Sequence, residues 1–311
     1  MPTSRNLDTA EYLAVAAEEA KRPPEFSSHI DVELAAQTHP GKVRSNNEDH
    51  YYTARFGREL VTLDTNVPDE LVPNRFEESA YVMVVADGIG GRAAGEVASS
   101  LAISSGLNLA LNSPKWTLVP TPEEIQENME RWRQRFRQID YVVSQRAAAD
   151  PALYGMGTTL TVACSIGADL VIYHVGDSRI YLFRNGRLIR LTRDHTLAQQ
   201  LADAGLIAPE EVATHRQRHA LTQALGRGGK IEAEIDHIRL ADGDRLLMCT
   251  DGLTDMVPDA KIAQILNGLP SSHAACHALV DAALDAGGKD NVTVVLGHYS
   301  IPELRSPEGG A

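Results

Sequence analysis

The sequence Tyr81-Val-Met-Val-Val-Ala-Asp87-Gly-Ile-Gly-Gly91 joins an apolar, valine-rich run to an aspartate and a group of glycines. The run predicts a strand that is buried on both faces. A carboxylate directly after such a strand needs a compensating partner, because an unpaired charge beside apolar structure is unfavourable. Glycine permits close backbone approach, so the carbonyl of Gly88 is itself a candidate metal ligand.

Three further aspartates occupy the same kind of position. Asp177 follows Val-Ile-Tyr-His-Val-Gly, Asp251 follows Arg-Leu-Leu-Met-Cys-Thr, and Asp290 comes just before Val-Thr-Val-Val-Leu. Converging carboxylates raise one another's pKa unless positive charge compensates them, and divalent cations are the simplest compensation. An all-oxygen ligand set favours Mg²⁺, Mn²⁺ or Ca²⁺ over Zn²⁺, and two ions about 3.5–4 Å apart can lower the pKa of a shared water. The pattern predicts one shared metal site.

Upstream, the stretch Gly41-Lys-Val-Arg-Ser-Asn-Asn-Glu-Asp49 places Arg44 shortly before two adjacent acids, Glu48 and Asp49. An arginine fork is suited to two phosphate oxygens. It would meet a phosphate beside metal-bound water held by the two acids. The combination indicates phosphoryl chemistry.

Each of these residues also has a simpler interpretation. An Asp-Gly pair is more often a hairpin turn than a metal site, and Asp242-Gly243 is interpreted as only a turn. Arg44 alone would be a surface ion pair. The shared position of Asp87 and Asp251 after buried strands favours the metal interpretation, and the whole combination carries it.

Other reactive residue types are assigned to structure. His174 lies within an apolar strand and is interpreted as a hydrogen-bonded core histidine, whereas His195 is better suited to lining a cleft but is left outside the predicted site. Cys249 is interpreted as a small core residue. The sequence contains neither a Ser-His-Asp or Cys-His arrangement nor a P-loop motif.

The pattern of apolar residues predicts a mixed α+β domain with largely antiparallel sheets. The dipeptides Asn185-Gly186 and Asp242-Gly243 favour hairpins over parallel crossovers. The segment 195–226 is predicted to be a lid or flap of irregular helix. Predicted strands are Tyr81–Val85, Leu160–Ser165, Leu170–Val175, Ile180–Phe183, Arg245–Thr250 and Val292–Leu296. Predicted helices are Glu96–Leu111, Pro122–Ala148 (with Thr121 as N-cap) and His273–Ala286.

The composition bounds the class of protein. The 311 residues, 43% of them hydrophobic, suffice for one catalytic domain over residues 31–300, with an N-terminal extension at 1–30 and a disordered tail at 301–311. Within the extension, Thr9–Lys21 could be helical. A net charge of −13 opposes nucleic acid as a partner. Three scattered cysteines, no apolar run long enough to span a membrane and no signal peptide predict a cytoplasmic protein.

Eight motifs follow one another along the chain: Arg44 to Asp49, Val85 to Gly91, Gly95-Glu96, Gly155 to Leu160, His174 to Arg179, Leu221 to Gly226, Cys249 to Leu253 and Lys289 to Thr293. Taken in this order, they resemble the PPM family of metal-dependent protein phosphatases, also called protein phosphatase type 2C, and look most like its bacterial branch. The resemblance runs from Gly41 to Leu296. It implies a four-layer α-β-β-α sandwich of two mainly antiparallel sheets flanked by helices, with the metals at one end.

The resemblance also implies two Mn²⁺ or Mg²⁺ ions in the core site and a third beside it, and it implies which residues bind them. Asp87 would bridge two ions and Gly88 would bind one through its carbonyl. Asp251 and Asp290 would complete the other. Asp177, together with Asp251, matches the third site of bacterial members.

Three positions near the metals bear on catalysis. By the same resemblance, Glu48 would act largely through metal-bound water, Asp49 would orient the bridging water, and Arg44 would bind the phosphate. Ile89 is a departure, since many eukaryotic members carry there a histidine proposed as the acid for the leaving group. An isoleucine cannot donate a proton, so metal-bound water would have to do so.

The predicted function is hydrolysis of phosphoserine and phosphothreonine on proteins by in-line attack of a metal-bridged hydroxide, with no phosphoenzyme intermediate. The expected partners are phosphorylated proteins, substrates of a Ser/Thr kinase, and the expected state is a monomer. One alternative is a non-catalytic pseudophosphatase, which should lack a metal aspartate, although all four are present. Another is a phosphatase acting on a small phosphoester or a phosphodiester.

Overall fold

The computed structural model describes residues 30–68, 71–90, 94–112, 122–228 and 231–301. The predicted N-terminal helix over Thr9–Lys21, the N-cap at Thr121 and the tail beyond residue 301 lie outside these ranges.

Within the described ranges, antiparallel strands form two five-stranded sheets and a short two-stranded one. The strands are β1 (Asp31–His39), β2 (His50–Val61), β3 (Arg75–Ala86), β4 (Gly88–Ile89), β5 (Gly157–Thr158), β6 (Leu160–Ile166), β7 (Asp169–Val175), β8 (Arg179–Arg184), β9 (Arg187–Arg190), β10 (Glu234–Arg239), β11 (Arg245–Cys249) and β12 (Val292–Ser300). The first sheet has the order β1-β12-β11-β8-β9 and the second β10-β7-β6-β3-β2.

The helices flank the two sheets. They are α1 (Ala94–Leu111), α2 (Pro122–Ala149), α3 (Leu197–Asp203), α4 (Asp251–Thr254), α5 (Asp259–Gly268) and α6 (Ser272–Asp285), with 3₁₀ turns at Pro151–Leu153 and Pro209–Thr214. In the part of the chain that the structure describes, no helix combines the length and apolarity needed to cross a membrane.

Strand β3 shows why its apolar run is unbroken. Val82 and Val84 pack against the cluster that contains α1 and α2, whereas Met83 and Val85 pack between the two sheets. Helices α5 and α6 cover the outer face of the first sheet. The predicted α+β fold with four α-β-β-α layers is therefore confirmed, and both faces of the central strands are buried.

All six predicted strands and all three predicted helices are present, but the two-residue strands β4 and β5 were not predicted, and four longer strands were not predicted or appeared only as part of a predicted hairpin. These are β1, β2, β9 and β10, which are the edges of the two sheets. Edge strands are partly exposed, so their residues lack a continuous apolar signal. Helices α4 and α5 were also missed.

The two predicted turns differ in outcome. Asn185-Gly186 joins β8 to β9 with both residues at positive φ (52° and 75°), so this hairpin is confirmed. Asp242-Gly243 is a turn with Gly243 at φ 78°, but it connects β10 of the second sheet to β11 of the first. The predicted hairpin at that position is wrong, because a dipeptide fixes local turn geometry and not the sheet that each strand joins.

The segment 195–226 is irregular, as predicted. It contains the short helix α3 and the 3₁₀ turn Pro209–Thr214, joined by turns. At the start of the segment the His195 amide donates to the Gly176 carbonyl at 2.7 Å, and at its end an isolated bridge pairs Leu225 with Thr158, so both ends are anchored to the body of the protein. A second bridge, between Thr196 and Leu221, joins the two ends of the segment to each other.

Candidate active site

Antiparallel pairing gathers the predicted acids at one end of the sandwich. The end of β3 at Ala86 pairs with the start of β2 at His50, and the end of β11 at Cys249 pairs with the start of β8 at Arg179. In these antiparallel pairs the end of one strand lies beside the start of its neighbour, at the same end of the sandwich. The predicted acids all lie at this end. They are Glu48, Asp49, Asp87, Asp177 and Asp290 in loops, and Asp251 at the start of helix α4.

Two clefts open at this end. The first, of 510 Å³, is lined by residues that include Arg44, Glu48, Asp87, Gly88 and Asp290. The second, of 320 Å³, is lined by Asp177 and Asp251 together with Val212, Ala213, Arg218 and His219 from the irregular segment. Asp87 experiences the charges of both Asp177 and Asp251, so the two clefts belong to one electrostatic site.

Like charge and burial raise the pKa of the acids at the centre. The pKa of Asp87 lies well above its ordinary value, first because of removal from water and then because of the negative charges of Asp49, Asp251, Asp177 and Asp290. Asp177, only 8% exposed, also has its pKa raised well above the ordinary value, by burial and then by Asp251. A bound cation would remove this penalty.

Asp49 is the most completely fixed of these acids. It is 4% exposed, and its Oδ2 accepts hydrogen bonds from Thr250 Oγ1 (2.9 Å) and Thr293 Oγ1 (2.7 Å). Its buried Oδ1 has no partner among the described residues. Burial raises its pKa to about 7, while the two hydroxyls act in the opposite direction. An unpaired buried carboxylate oxygen is costly, so Oδ1 is suited to hold a water at a cation.

Glycines bring the chain around Glu48 into close contact. The Glu48 carbonyl accepts a hydrogen bond from the Gly88 amide at 3.2 Å, and the Gly95 amide donates to the Glu48 carboxylate. A Cβ on Gly95 would lie 2.6 Å from Glu48 Oε2, and one on Gly88 would lie 2.3 Å from the Gly95 carbonyl oxygen. Only glycine fits at both positions. Burial raises the pKa of Glu48.

Arg44 stands at the mouth of the first cleft. Its side chain is 57% exposed, and Nη2 donates to Asp290 Oδ2 at 2.7 Å. This hydrogen bond is the main cause of the raised pKa of the guanidinium. The remaining fork nitrogens are available to an anion that enters the cleft.

The sequence interpretation missed several polar partners of the site. The threonines that hold Asp49 were not singled out, nor was His219, whose Nδ1 lies 3.7 Å from Asp251 Oδ2 and whose Nε2 lies 3.3 Å from Asp255 Oδ2. Asp255 follows Asp251 by four residues, a spacing that puts both on one face of a helix and could have been noticed. His219 carried no comparable sequence signal.

His174 and Cys249 have the structural roles predicted for them, whereas His195 lines neither of the two clefts. His174 is fully buried, its Nδ1 pairs with Thr161 Oγ1 at 2.9 Å, and its Nε2 donates to the Arg193 carbonyl at 3.0 Å. Burial lowers the pKa of His174 to about 3. His195 lies against it with ring centroids 4.9 Å apart. Cys249 is buried, which raises its pKa to about 12.

Two antiparallel sheets between helix layers, with an acidic site at one end, define the architecture of the PPM phosphatases. The sequence profile described as "Protein phosphatase 2C" matches residues 62–286. The chain belongs to the protein phosphatase 2C family.

Named relatives and a solved structure agree with this assignment. The chain is 36% identical over 262 residues to the serine/threonine protein phosphatase PstP of Mycobacterium tuberculosis, covering 84% of this chain and 44% of PstP. It therefore spans less than half the length of that relative. It is 33% identical over 269 residues to the protein phosphatase PhpP of Streptococcus pneumoniae, covering 85% of this chain and 96% of PhpP.

The solved structure is the catalytic domain of PstP in complex with two manganese ions. It superposes with a TM-score of 0.68 at 33% identity, covering 88% of this chain and 100% of that one.

Proposed function

We propose that this chain is a Mn²⁺- or Mg²⁺-dependent protein serine/threonine phosphatase that hydrolyses phosphoserine and phosphothreonine on proteins. The observation that carries the proposal is the partly buried acid cluster with an unpaired Asp49 Oδ1, beside an exposed arginine fork. The cluster needs cations, and the fork is suited to a phosphate. The names of PstP and PhpP support the same activity.

The oxygen donors fit hard divalent cations. In the proposed arrangement two ions occupy the core site and a third binds beside it; the two manganese ions in the PstP structure support the core number. Bound cations would lower the pKa of a water and offset the charge of the phosphate. The proposed ligands are Asp87, the Gly88 carbonyl, Asp251, Asp290, Glu48 and Asp177.

The side chains around the cations have separate tasks. Arg44 binds two phosphate oxygens and aligns the phosphorus with the acid cluster. Asp49 orients the attacking water through Oδ1, because its other oxygen is held by two threonine hydroxyls. Ile89 lines the cleft and has no proton to donate, so the leaving group must receive its proton from water.

The proposed catalytic unit comprises residues 31–300, with residues 195–226 as a flap over the second cleft. The short distances from His219 to Asp251 (3.7 Å) and Asp255 (3.3 Å) support a flap at this position. The proposal includes a cytoplasmic monomer whose partners are phosphoproteins produced by a Ser/Thr kinase.

The decisive measurement is phosphate release from a phosphothreonine peptide with Mn²⁺, with Mg²⁺ and with a chelator. We expect metal-dependent turnover that the chelator abolishes and that Asp251→Ala removes. Asp281→Asn, an exposed acid on α6, is the matched control and should keep wild-type turnover. No turnover with either metal would support a non-catalytic module, and faster turnover of p-nitrophenyl phosphate than of any phosphopeptide would support a small-ester phosphatase.

A further inference from the structure

Asn291 lies between Asp290 and strand β12, is 7% exposed and uses its whole amide group. Its Oδ1 accepts a hydrogen bond from the Glu48 amide at 2.8 Å. Its Nδ2 donates to the Pro40 carbonyl at 2.9 Å and to the Asn46 carbonyl at 2.8 Å. All three bonds go to one loop, residues 40–48.

This loop presents Arg44, and Pro40 and Asn46 flank that residue on either side. The Arg44 side chain is more than half exposed, so few neighbours restrain it and its position depends on the backbone beneath it. The loop also packs against the backbone of Asp290, the residue before Asn291. A Cβ on Gly41 would be only 2.3 Å from the Asp290 carbonyl oxygen.

The backbone of Asn291 contacts two other parts of the site. Its amide donates to Asp290 Oδ1 at 2.9 Å. Its carbonyl lies so close to Gly252 that a Cβ there would be 1.9 Å from the oxygen. Asn291 therefore stands where the segments carrying Arg44, Asp251 and Asp290 meet.

We propose that Asn291 is a positioning residue for the phosphatase reaction, one that acts through Arg44 and Glu48. It holds the phosphate-binding guanidinium of Arg44 and the metal-site acid Glu48 in fixed positions relative to Asp290. This inference rests on the proposed function.

The chemistry of the contacts requires an amide. Aspartate keeps the acceptor for the Glu48 amide but loses both donors, and it sets a charge against the carbonyls of Pro40 and Asn46. Alanine loses all three bonds. The two variants therefore separate the hydrogen bond to the Glu48 amide from the two hydrogen bonds to the Pro40 and Asn46 carbonyls.

The test measures KM and kcat for a phosphothreonine peptide and Mn²⁺ affinity by calorimetry. For Asn291→Ala we expect KM to rise by about 10- to 100-fold, since small displacements of binding groups have effects of this size, and Mn²⁺ affinity to fall. For Asn291→Asp we expect the rise in KM without weaker Mn²⁺ binding. In an Arg44→Ala background, Asn291→Ala should change KM by less than about twofold, because the group it positions is gone.

The matched control is Tyr299→Phe on strand β12, which follows Asn291; it removes a buried hydroxyl 3.3 Å from Ser165 Oγ. It should lower the melting temperature and leave KM unchanged. A wild-type KM in Asn291→Asp, or a KM effect of Asn291→Ala that persists in the Arg44→Ala background, would overturn the inference. Asn291→Asp carries the test if the alanine variant does not fold. A wild-type chain without metal-dependent turnover would instead refute the proposed function.

Discussion

Arg44 Nη2 lies 2.7 Å from Asp290 Oδ2, although 246 positions separate the two residues in sequence. The side chains are 57% and 40% exposed, so the ion pair contributes little to stability. Its importance is positional, because it places the guanidinium against the acidic site.

Arg44→Ala should raise KM for a phosphothreonine peptide by about 10- to 100-fold, the range expected when charge-assisted hydrogen bonds to phosphate are lost. The Mn²⁺ concentration for half-maximal turnover should change by less than about twofold. Arg44→Lys should fall between wild type and alanine, because it keeps the charge and loses the fork. Steady-state kinetics with all three proteins would decide this, and an unchanged KM in Arg44→Ala would exclude the phosphate role.

Asp87→Asn should abolish metal-dependent turnover by at least about 1,000-fold, because a ligand worth several kcal/mol of charge stabilisation is lost. The same change should raise the melting temperature in chelator by a few degrees, since it removes one of several mutually repelling carboxylates. Asp281→Asn should alter neither quantity. A lower melting temperature for metal-free Asp87→Asn would show that the acids do not repel one another as inferred.

Gly95→Ala should reduce both turnover and Mn²⁺ affinity, because its Cβ would lie 2.6 Å from Glu48 Oε2 and 2.7 Å from the Gly88 carbonyl carbon. Gly106→Ala on the same helix is the control, since a Cβ there meets only Ile139 Cδ1 at 3.4 Å. It should leave turnover unchanged and stabilise the protein by about 0.5–1 kcal/mol. Equal effects of the two substitutions would point to helix propensity rather than crowding at the site.

The pH dependence of metal binding should follow Asp49. Its pKa of about 7, raised from 3.8, means that the folded metal-free chain holds a proton between about pH 4 and 7 that the unfolded chain has released. The Asp49 contribution to the free energy of unfolding therefore falls as pH rises through this window. Protons and cations compete for the cluster, so Mn²⁺ affinity should increase from pH 6 to 8.

The sign of this pH dependence is best measured as the difference in the free energy of unfolding between wild type and Asp49→Asn. His174, with its pKa lowered to about 3, contributes stability of the opposite slope in both proteins, and the difference cancels it. Chemical denaturation in chelator at pH 5 and pH 7.5 gives the free energy of unfolding, and calorimetric titration with Mn²⁺ gives the metal affinity. A wild type that gains stability relative to Asp49→Asn on going from pH 5 to pH 7.5 would contradict the raised pKa.

Ile89→His should favour substrates with poor leaving groups. Ile89 lines the first cleft and forms part of the short β4–β5 ladder, so a side chain there lies at the cleft in which the phosphate is proposed to bind. The ratio of turnover on a phosphothreonine peptide to that on p-nitrophenyl phosphate should rise about tenfold or more if the imidazole acts as an acid. Ile89→Leu should leave the ratio unchanged. Equal changes on both substrates in Ile89→His would mean that it donates no proton to the leaving group.

Much of the fold could be predicted from the central strands. Strands such as β3 and β11 are buried on both faces, so their apolar runs are continuous and easy to recognise. The edge strands β1, β2 and β10 have exposed positions and mixed composition, and they were not predicted. Their place depends on partners elsewhere in the chain, above all the pairing of β1 with β12.

Asp87, Asp177, Asp251 and Asp290 were predicted because each sits beside a buried strand, and Glu48 and Asp49 because they follow Arg44 closely; both are local features that one sequence displays. Their polar partners depend on distant segments. Thr250 and Thr293, which hold Asp49, stand 201 and 244 positions from it. The contacts of Asn291 with Glu48 and of His219 with Asp251 likewise join loops that are far apart in sequence.

The sequence by itself determined the element types of the core and the positions of Asp87, Asp177, Asp251 and Asp290 at strand ends, because periodicity and neighbouring apolar residues are local properties. Only the tertiary structure decided which oxygen of Asp49 is left unpaired, which carboxylate Arg44 contacts and how far burial shifts each pKa. These quantities depend on distances of a few ångströms between segments that meet only when the two sheets pack together.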